Sequence, residues 1–502
     1  MWKPPERIKF FSTHGALPTR PQAQEARLFS PLQMGPMSLR HRTWVPAMVP
    51  WRSNEDGLVT EDVIQWYARF AQGQPGAIVI EATGIRDVPS GPLLRISDDR
   101  YIDGLRRLTQ AVHQASGGHT RLLIQLIDFL RIRRRPEPQV FFERHLTLTP
   151  ALLERAGLTG MPAEQTRQAL LEQGPERWQA VLDARDWQSL QFGAREHVND
   201  LELAHIRELP AELPELFAQA AVRARAASFD GIELHYAHAY TMASFLSATN
   251  KRSDGYGGSR EARVRLPLEV YQKVRQAVGT DFAVGCRFLT EECIEGGTTL
   301  DDSRWYATQF ARAGMDFVST SRGGKFDDAK QPGIGQAAYP YTGRSGYECM
   351  PQYLSDAQGP FGRNRKASAD IRQTLRQAGL NTPVVSTGGV HNFEMAESML
   401  AAQDCDVVGT ARQSLADPDW ALKTWLGMGD QVRLCEYTNY CEGLDQKHKQ
   451  VTCQLWDRLD LDEPGVRMSL DGKRRLIAPP WQAAQTQPGA APDEQAAQTT
   501  PT

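Results

Sequence analysis

Eight short, continuously apolar runs recur along this chain, at 43–48, 77–82, 121–125, 231–235, 282–288, 317–321, 383–387 and 407–410. A strand with one wet face alternates apolar and polar residues. These runs do not alternate, so they predict parallel strands covered on both faces. Most are followed by stretches of helical periodicity, at 61–71, 101–114, 261–278, 302–313, 367–378 and 392–402. Eight β/α units predict an α/β chain closed into a (β/α)₈ barrel. The alternative is an open doubly wound sheet, for which no GxGxxG follows the first run.

The 502 residues fit one elaborated barrel, since the fold takes about 250 residues and more than 400 with insertions. The expected organisation is an arm over 1–26, a barrel over 27–430 and a Cys-containing extension over 431–478. A tail over 479–502, rich in Pro, Ala, Gln and Thr, is expected to be disordered. One connection breaks the rhythm. Residues from about 130 to 213 separate the third run from the fourth and begin with Arg131, Arg133, Arg134 and Arg135. Barrel active sites are built from the loops after the strands, so this insertion reads as a lid or recognition subdomain, or as a dimerisation element.

Net charge is −3 and the pI about 6.4, which gives no global basic field for nucleic acid. No run of about 18 apolar residues predicts a membrane span, and the first residues lack the pattern of a secretory signal. Seven cysteines, an odd and sparse set, do not suggest a disulfide framework. A reducing cytoplasm is the expected location.

The densest chemistry lies at 229–259. His235 ends the fourth run, and His238 and Tyr240 follow in the turn. Two imidazoles and a phenol at the carboxyl end of a barrel strand would stand at the barrel mouth, where catalysis occurs in this architecture.

From these residues the sequence resembles the Old Yellow Enzyme family of NAD(P)H:flavin oxidoreductases. The resemblance rests on LFSPLQMGPMSLRHR (28–42), WYARFA (66–71), HYAHAY, VGCRF around Arg287, STGGV (386–390) and GTARQSLADPDW (409–420), in the family's order. It implies FMN across the barrel mouth, contacted by Ala47, Met48, Val49, Ala82 and Gln125. Arg287 would face the edge of the ring that gains negative charge on reduction. Gly388, Gly389, Ala411 and Arg412 would hold the phosphate. His235 and His238 would bind and polarise a substrate carbonyl, and Tyr240 would protonate the α-carbon. The implied reaction moves hydride from flavin to an α,β-unsaturated carbonyl or acyl thioester, with NAD(P)H as reductant. A homo-oligomer is also implied.

Three positions depart from the family pattern. Val49 stands where Thr or Cys is usual, so a shifted flavin potential is expected. Asp128 replaces a His, and His41 an Asn.

Cys435, Cys441 and Cys453 form a C-x₅-C-x₁₁-C series. Larger relatives, in the 2,4-dienoyl-CoA reductase and trimethylamine dehydrogenase branch, place four cysteines here for an iron–sulfur cluster. Thr438 stands nearest the missing one. Three readings stay open: a cluster, a zinc site completed by His448, or three reduced thiols. Those relatives also append nucleotide-binding domains, which this chain is expected to lack. The alternative function is therefore a flavin amine dehydrogenase or dienoyl-CoA-type reductase that uses a separate electron-transfer partner. A flavin-free, phosphate-binding barrel is a third possibility.

Overall fold

A hairpin, β1 (Leu32–Met34) and β2 (Met37–Leu39), precedes the barrel and closes its floor. Met34, Met37 and Leu39 are buried with Ala77, Ala283 and Phe317, which lie at strand starts. The computed structural model describes residues 10–88, 91–351, 356 and 358–482.

Eight strands then close the barrel: β3 (Thr43–Val45), β4 (Ala77–Gly84), β5 (Arg121–Ile127), β6 (Gly231–Tyr236), β7 (Ala283–Leu289), β8 (Val318–Ser321), β9 (Val384–Thr387) and β10 (Val407–Gly409). Each pairs in parallel with the next, and β10 returns to β3. All eight predicted runs are strands, with ends shifted by a few residues. The barrel and its helices match the expected class.

Strand alternation sorts side chains between two cores. Ile78, Ile80, Ile124 and Leu234 face outward into the main helix–sheet core. Val79, Leu123, Phe317 and Val385 face inward, where the Trp44 and Phe317 rings meet edge to face at 5.3 Å. A bulge between Ile80 and Ala82 breaks the β4 register. It turns Glu81 outward, where Tyr67 donates a hydrogen bond to it at 3.0 Å, and turns Ala82 to the cavity at the mouth. Bulges characteristically re-aim side chains in this way.

The insertion has its own small core, in which Phe142, Leu152, Leu170, Trp178 and Leu190 are buried together. Its helices Pro150–Ala156, Ala163–Val181 and Ala184–Phe192 enclose that cluster, the second broken at Gly174 (φ 80°). Helix Leu209–Ala226 begins inside the stretch expected to be insertion, yet Leu209, Leu213 and Phe217 pack into the main core. The insertion therefore ends a few residues earlier than the sequence suggested.

Residues 431–478 wrap over the first strand's loop and the first barrel helix. Arg52 donates to the carbonyls of Val451 and Leu476, and Arg69 to that of Ala478. The expected tail is docked at its start, where Arg69 donates to the Pro479 carbonyl and Trp481 to Gln431. Residues 483–502 of that tail lie outside the described residues.

Candidate active site

Inward parity carries a polar layer to the carboxyl ends of the strands. On β6 it places Glu233 and then His235 inward, on β7 Arg287, on β8 Ser319 and Ser321, and on β9 Thr387. Gln125 of β5 donates to Glu233 Oε2 at 2.6 Å. Above this layer opens a cavity of about 1580 Å³, counted to its mouth.

Every residue expected to contact flavin or substrate lines this one cavity: Ala47, Met48 and Val49 after β3, Ala82, Gln125, His235, His238, Tyr240, Arg287, Gly388 with Gly389, and Ala411 with Arg412. Arg287 is 8 % exposed. It forms no ion pair with a described carboxylate, and its Nε has no partner. Its Nη2 donates to Ser321 Oγ at 3.3 Å. The buried Glu233 carboxyl lies within electrostatic range but forms no ion pair with it, so the guanidinium keeps the capacity to meet an anionic group in the cavity. The Thr387 Oγ1 is likewise buried without a partner. These orphaned groups fit an FMN ring with an electron-rich edge.

The two imidazoles are linked to each other and to Ser321. His235 Nε2 lies 3.4 Å from His238 Nδ1, and His238 Nε2 lies 2.7 Å from Ser321 Oγ. His238 and Ala239 both have positive φ (57° and 62°), and this turn brings His238 back over β6. Burial, with help from Arg287, pushes the His235 pKa down to about 3 and that of His238 well below its usual range. Both rings are therefore neutral. Burial, then Asp445, raises the Tyr240 phenol above its ordinary value.

Gly388 and Gly389 are also required by the chain's own packing. A Cβ on Gly389 (φ 72°) would stand 1.8 Å from the Pro360 carbonyl oxygen, and one on Gly388 would stand 2.9 Å from Asn364 Cβ. The close neighbour is the chain's own 360–364 segment. Arg412 donates to Asn439 Oδ1 at 2.7 Å and lies 4.5 Å over the Tyr437 ring. Asp128, the departure after β5, is buried against Arg86 Nε at 2.5 Å.

The metal expectation is corrected. Among the described residues no group of three or more His, Cys, Asp or Glu side chains could hold a metal ion. Cys441 lines the cavity, while Cys435 and Cys453 sit in an apolar cluster with Ala416 and Tyr437. Burial raises all three thiols above their ordinary value. His448 is stacked on Trp51 at 4.1 Å.

Sequence reasoning missed the far wall. The long connection after β8 brings Tyr339, Tyr341, Glu348, Cys349 and Asn364 to the cavity, and the extension adds Tyr437, Glu442 and Asp445. Asp445 accepts hydrogen bonds from Trp51 and Tyr339.

Fold and cavity together define a barrel enzyme with a buried guanidinium, two neutral imidazoles and a phenol around one mouth. The chain belongs to the NADH:flavin oxidoreductase / NADH oxidase family, whose model matches residues 27–129 and 207–431 and passes over the insertion. It is 29 % identical over 413 residues to an NADH oxidase of Thermoanaerobacter brockii, covering 81 % of this chain and 52 % of that protein. It is 26 % identical to an N,N-dimethylglycine/sarcosine dehydrogenase of Chromohalobacter salexigens, covering 85 % of this chain and 52 % of that one. The chain thus spans about half the length of these curated relatives. In fold it is similar to a 2-naphthoyl-CoA reductase solved with 2-naphthoyl-CoA, with a TM-score of 0.62 and 17 % identity over 87 % of this chain and 57 % of that one. Among the described residues, no helix is long and apolar enough to cross a membrane.

Proposed function

We propose that this chain is an FMN-dependent ene-reductase that acts on α,β-unsaturated carbonyl compounds or thioesters in the cytoplasm. The observation that carries the reading is Arg287: a buried guanidinium with no ion pair to a described carboxylate and an unpartnered Nε, on the strand beside His235, in the cavity that also holds Tyr240. FMN, held by residues such as Gln125, Arg287 and Arg412, would supply hydride for the substrate β-carbon, with NAD(P)H as its reductant.

The protein's part is positioning and electrostatics. Arg287 stabilises negative charge at its end of the cavity, in a site of low dielectric. The neutral imidazoles of His235 and His238 can donate to a carbonyl oxygen without the cost of a buried charge, once one N–H turns from its partner in the His235–His238–Ser321 chain. Tyr240 keeps its proton because burial disfavours the phenolate, so it holds an acid ready for the α-carbon. Arg412, beside Gly409 and Ala411, offers the cation for a phosphate.

A second reading, oxidation of an amine, is favoured by Asp445. A carboxylate set beside Trp51 and Tyr339 suits a cationic substrate, and one relative's name points the same way. One experiment separates the two. The purified protein is examined anaerobically by absorption, then mixed with NADH or NADPH, then with 2-cyclohexen-1-one. Flavin bands that bleach with nicotinamide and return with the enone support the ene-reductase. Bleaching by sarcosine but not by nicotinamide supports the amine reading, and a colourless protein that takes up no FMN sinks both.

A further inference from the structure

The basic run that opens the insertion takes no part in the chemistry described above, and its charges are unusually free. Arg131, Arg133 and Arg134 are exposed. The nearby Arg185 and Arg195 pair with Asp200 and Asp327, but the three arginines of the run form no ion pair with any described carboxylate. The Glu196 carboxylate is taken by the backbone N–H of Arg131 and by His205. Arg144 adds a further cation. Burial, then Arg133 and Arg144, lowers the His145 pKa. Crowded like charges without counter-ions oppose folding.

The run is nevertheless held in a fixed shape. On one side Arg133 N donates to the Ala194 carbonyl at 2.6 Å and Glu196 N to that of Arg131 at 3.0 Å. On the other, Arg135 N donates to the Gln336 carbonyl and Gly335 N to that of Arg135. All of these bonds use backbone, and among the three side chains only Arg134 adds a bond of its own, a long one of 3.5 Å to the Gly335 carbonyl.

Its place is the rim of the reaction cavity. Phe129, two residues before Arg131, lines the cavity, and Ile132 lines a small cleft that shares Phe129 and Tyr240 with it. Arg134 lies close enough to His448 to help burial depress that ring's pKa, and His448 stacks on Trp51 of the cavity wall. The cations therefore spread along the rim, with Arg134 toward Trp51 and Arg133 toward Arg144.

We propose that Arg131, Arg133 and Arg134 form a recognition site for the phosphorylated adenosine end of a nucleotide whose reactive end enters the cavity. Such a molecule carries anionic groups at two places, a diphosphate and a ribose phosphate, which matches a preformed band of cations better than a single anion does. The same chemistry is offered by the 2′-phosphate of NADPH and by the 3′-phosphate of a coenzyme A thioester. The proposal rests on reading the cavity as the reaction site, but its test does not require turnover.

Binding of adenosine 2′,5′-bisphosphate, adenosine 3′,5′-bisphosphate and 5′-AMP to the full chain is measured by calorimetry. One bisphosphate is expected to bind roughly tenfold more tightly than 5′-AMP, with an advantage that shrinks as salt rises. Preference for the 2′ isomer identifies NADPH as the source, and preference for the 3′ isomer identifies a coenzyme A thioester. R131Q/R133Q/R134Q should abolish the advantage and R131K/R133K/R134K should keep most of it, with both melting like the parent. Bisphosphates that bind no better than 5′-AMP, or an advantage that survives the glutamine variant, overturn the site. Either result leaves the flavin reading to its own spectroscopic test.

Discussion

The indole N–H of Trp51 donates to Asp445 Oδ1 at 2.5 Å, joining the loop after the first barrel strand to the C-terminal extension across the cavity wall. Burial raises the Asp445 carboxyl from 3.8 to about 6. An acid whose pKa is higher folded than unfolded binds more protons folded, so between those values stability falls as pH rises. Asp445→Asn removes the titrating carboxyl. The variant is expected to melt about 2 °C or more above the parent at pH 7.5, with the gap narrowing as pH falls below about 6 and closing only near 3.8. Paired calorimetric scans check this, and a gap independent of pH contradicts it.

Tyr240→Phe removes the proposed acid and leaves the ring. Stopped-flow mixing should show flavin reduction by nicotinamide at the parental rate and reoxidation by an enone slowed roughly a hundredfold or more. Because the phenol's pKa is held above its ordinary value, the parent's reoxidation rate should also stay level through pH 9. A decline near pH 8 would assign the proton to another group.

Arg287→Gln keeps polarity and removes charge. Losing about 3 kcal/mol of stabilisation for the reduced ring lowers a two-electron potential by about 60 mV, which dye-equilibration titration can read. Val49→Thr, which restores a hydroxyl near the ring, should move the potential measurably, whereas Val49→Ala should not. Potentials unchanged in both Arg287→Gln and Val49→Thr would place the flavin elsewhere.

Gly389→Ala sets a methyl against the Pro360 carbonyl at a backbone angle unfavourable to alanine. A loss of about 3 kcal/mol or more is expected, seen as a lower denaturation midpoint and poorer retention of yellow colour on dialysis. A stable variant that still loses colour would return Gly389 to a direct role in ligand approach.

The strands were legible because residues such as Ile78–Ile80 and Leu122–Ile124 are apolar on both faces, and a continuous run survives error at its ends. His235, His238 and Tyr240 were legible because they follow a strand end, where the barrel puts its chemistry. Tyr339, Tyr341 and Asp445 were not. They lie in glycine-rich or polar stretches without periodicity, and their place depends on contacts such as Tyr339 with Asp445, 106 positions apart. One signal was available: the unusual span between Ser321 and Arg365, with aromatic residues inside it, resembles the insertion that was noticed. The His235–His238 contact was hidden for another reason, since positive φ at His238 and Ala239 is not written in residue type. The contact of Gly388 and Gly389 with the 360–364 segment was not legible because a glycine announces close approach without naming what approaches.

A cavity wall that includes Tyr437, Glu442 and Asp445 has a temporal consequence. Synthesis runs from the amino terminus, and a ribosome adds about 5–20 residues each second. The barrel strands, complete by Gly409, emerge before the segment that finishes the pocket. Whatever that pocket holds is fully enclosed only after this segment has emerged, and a product truncated before it would display an open, unfinished mouth.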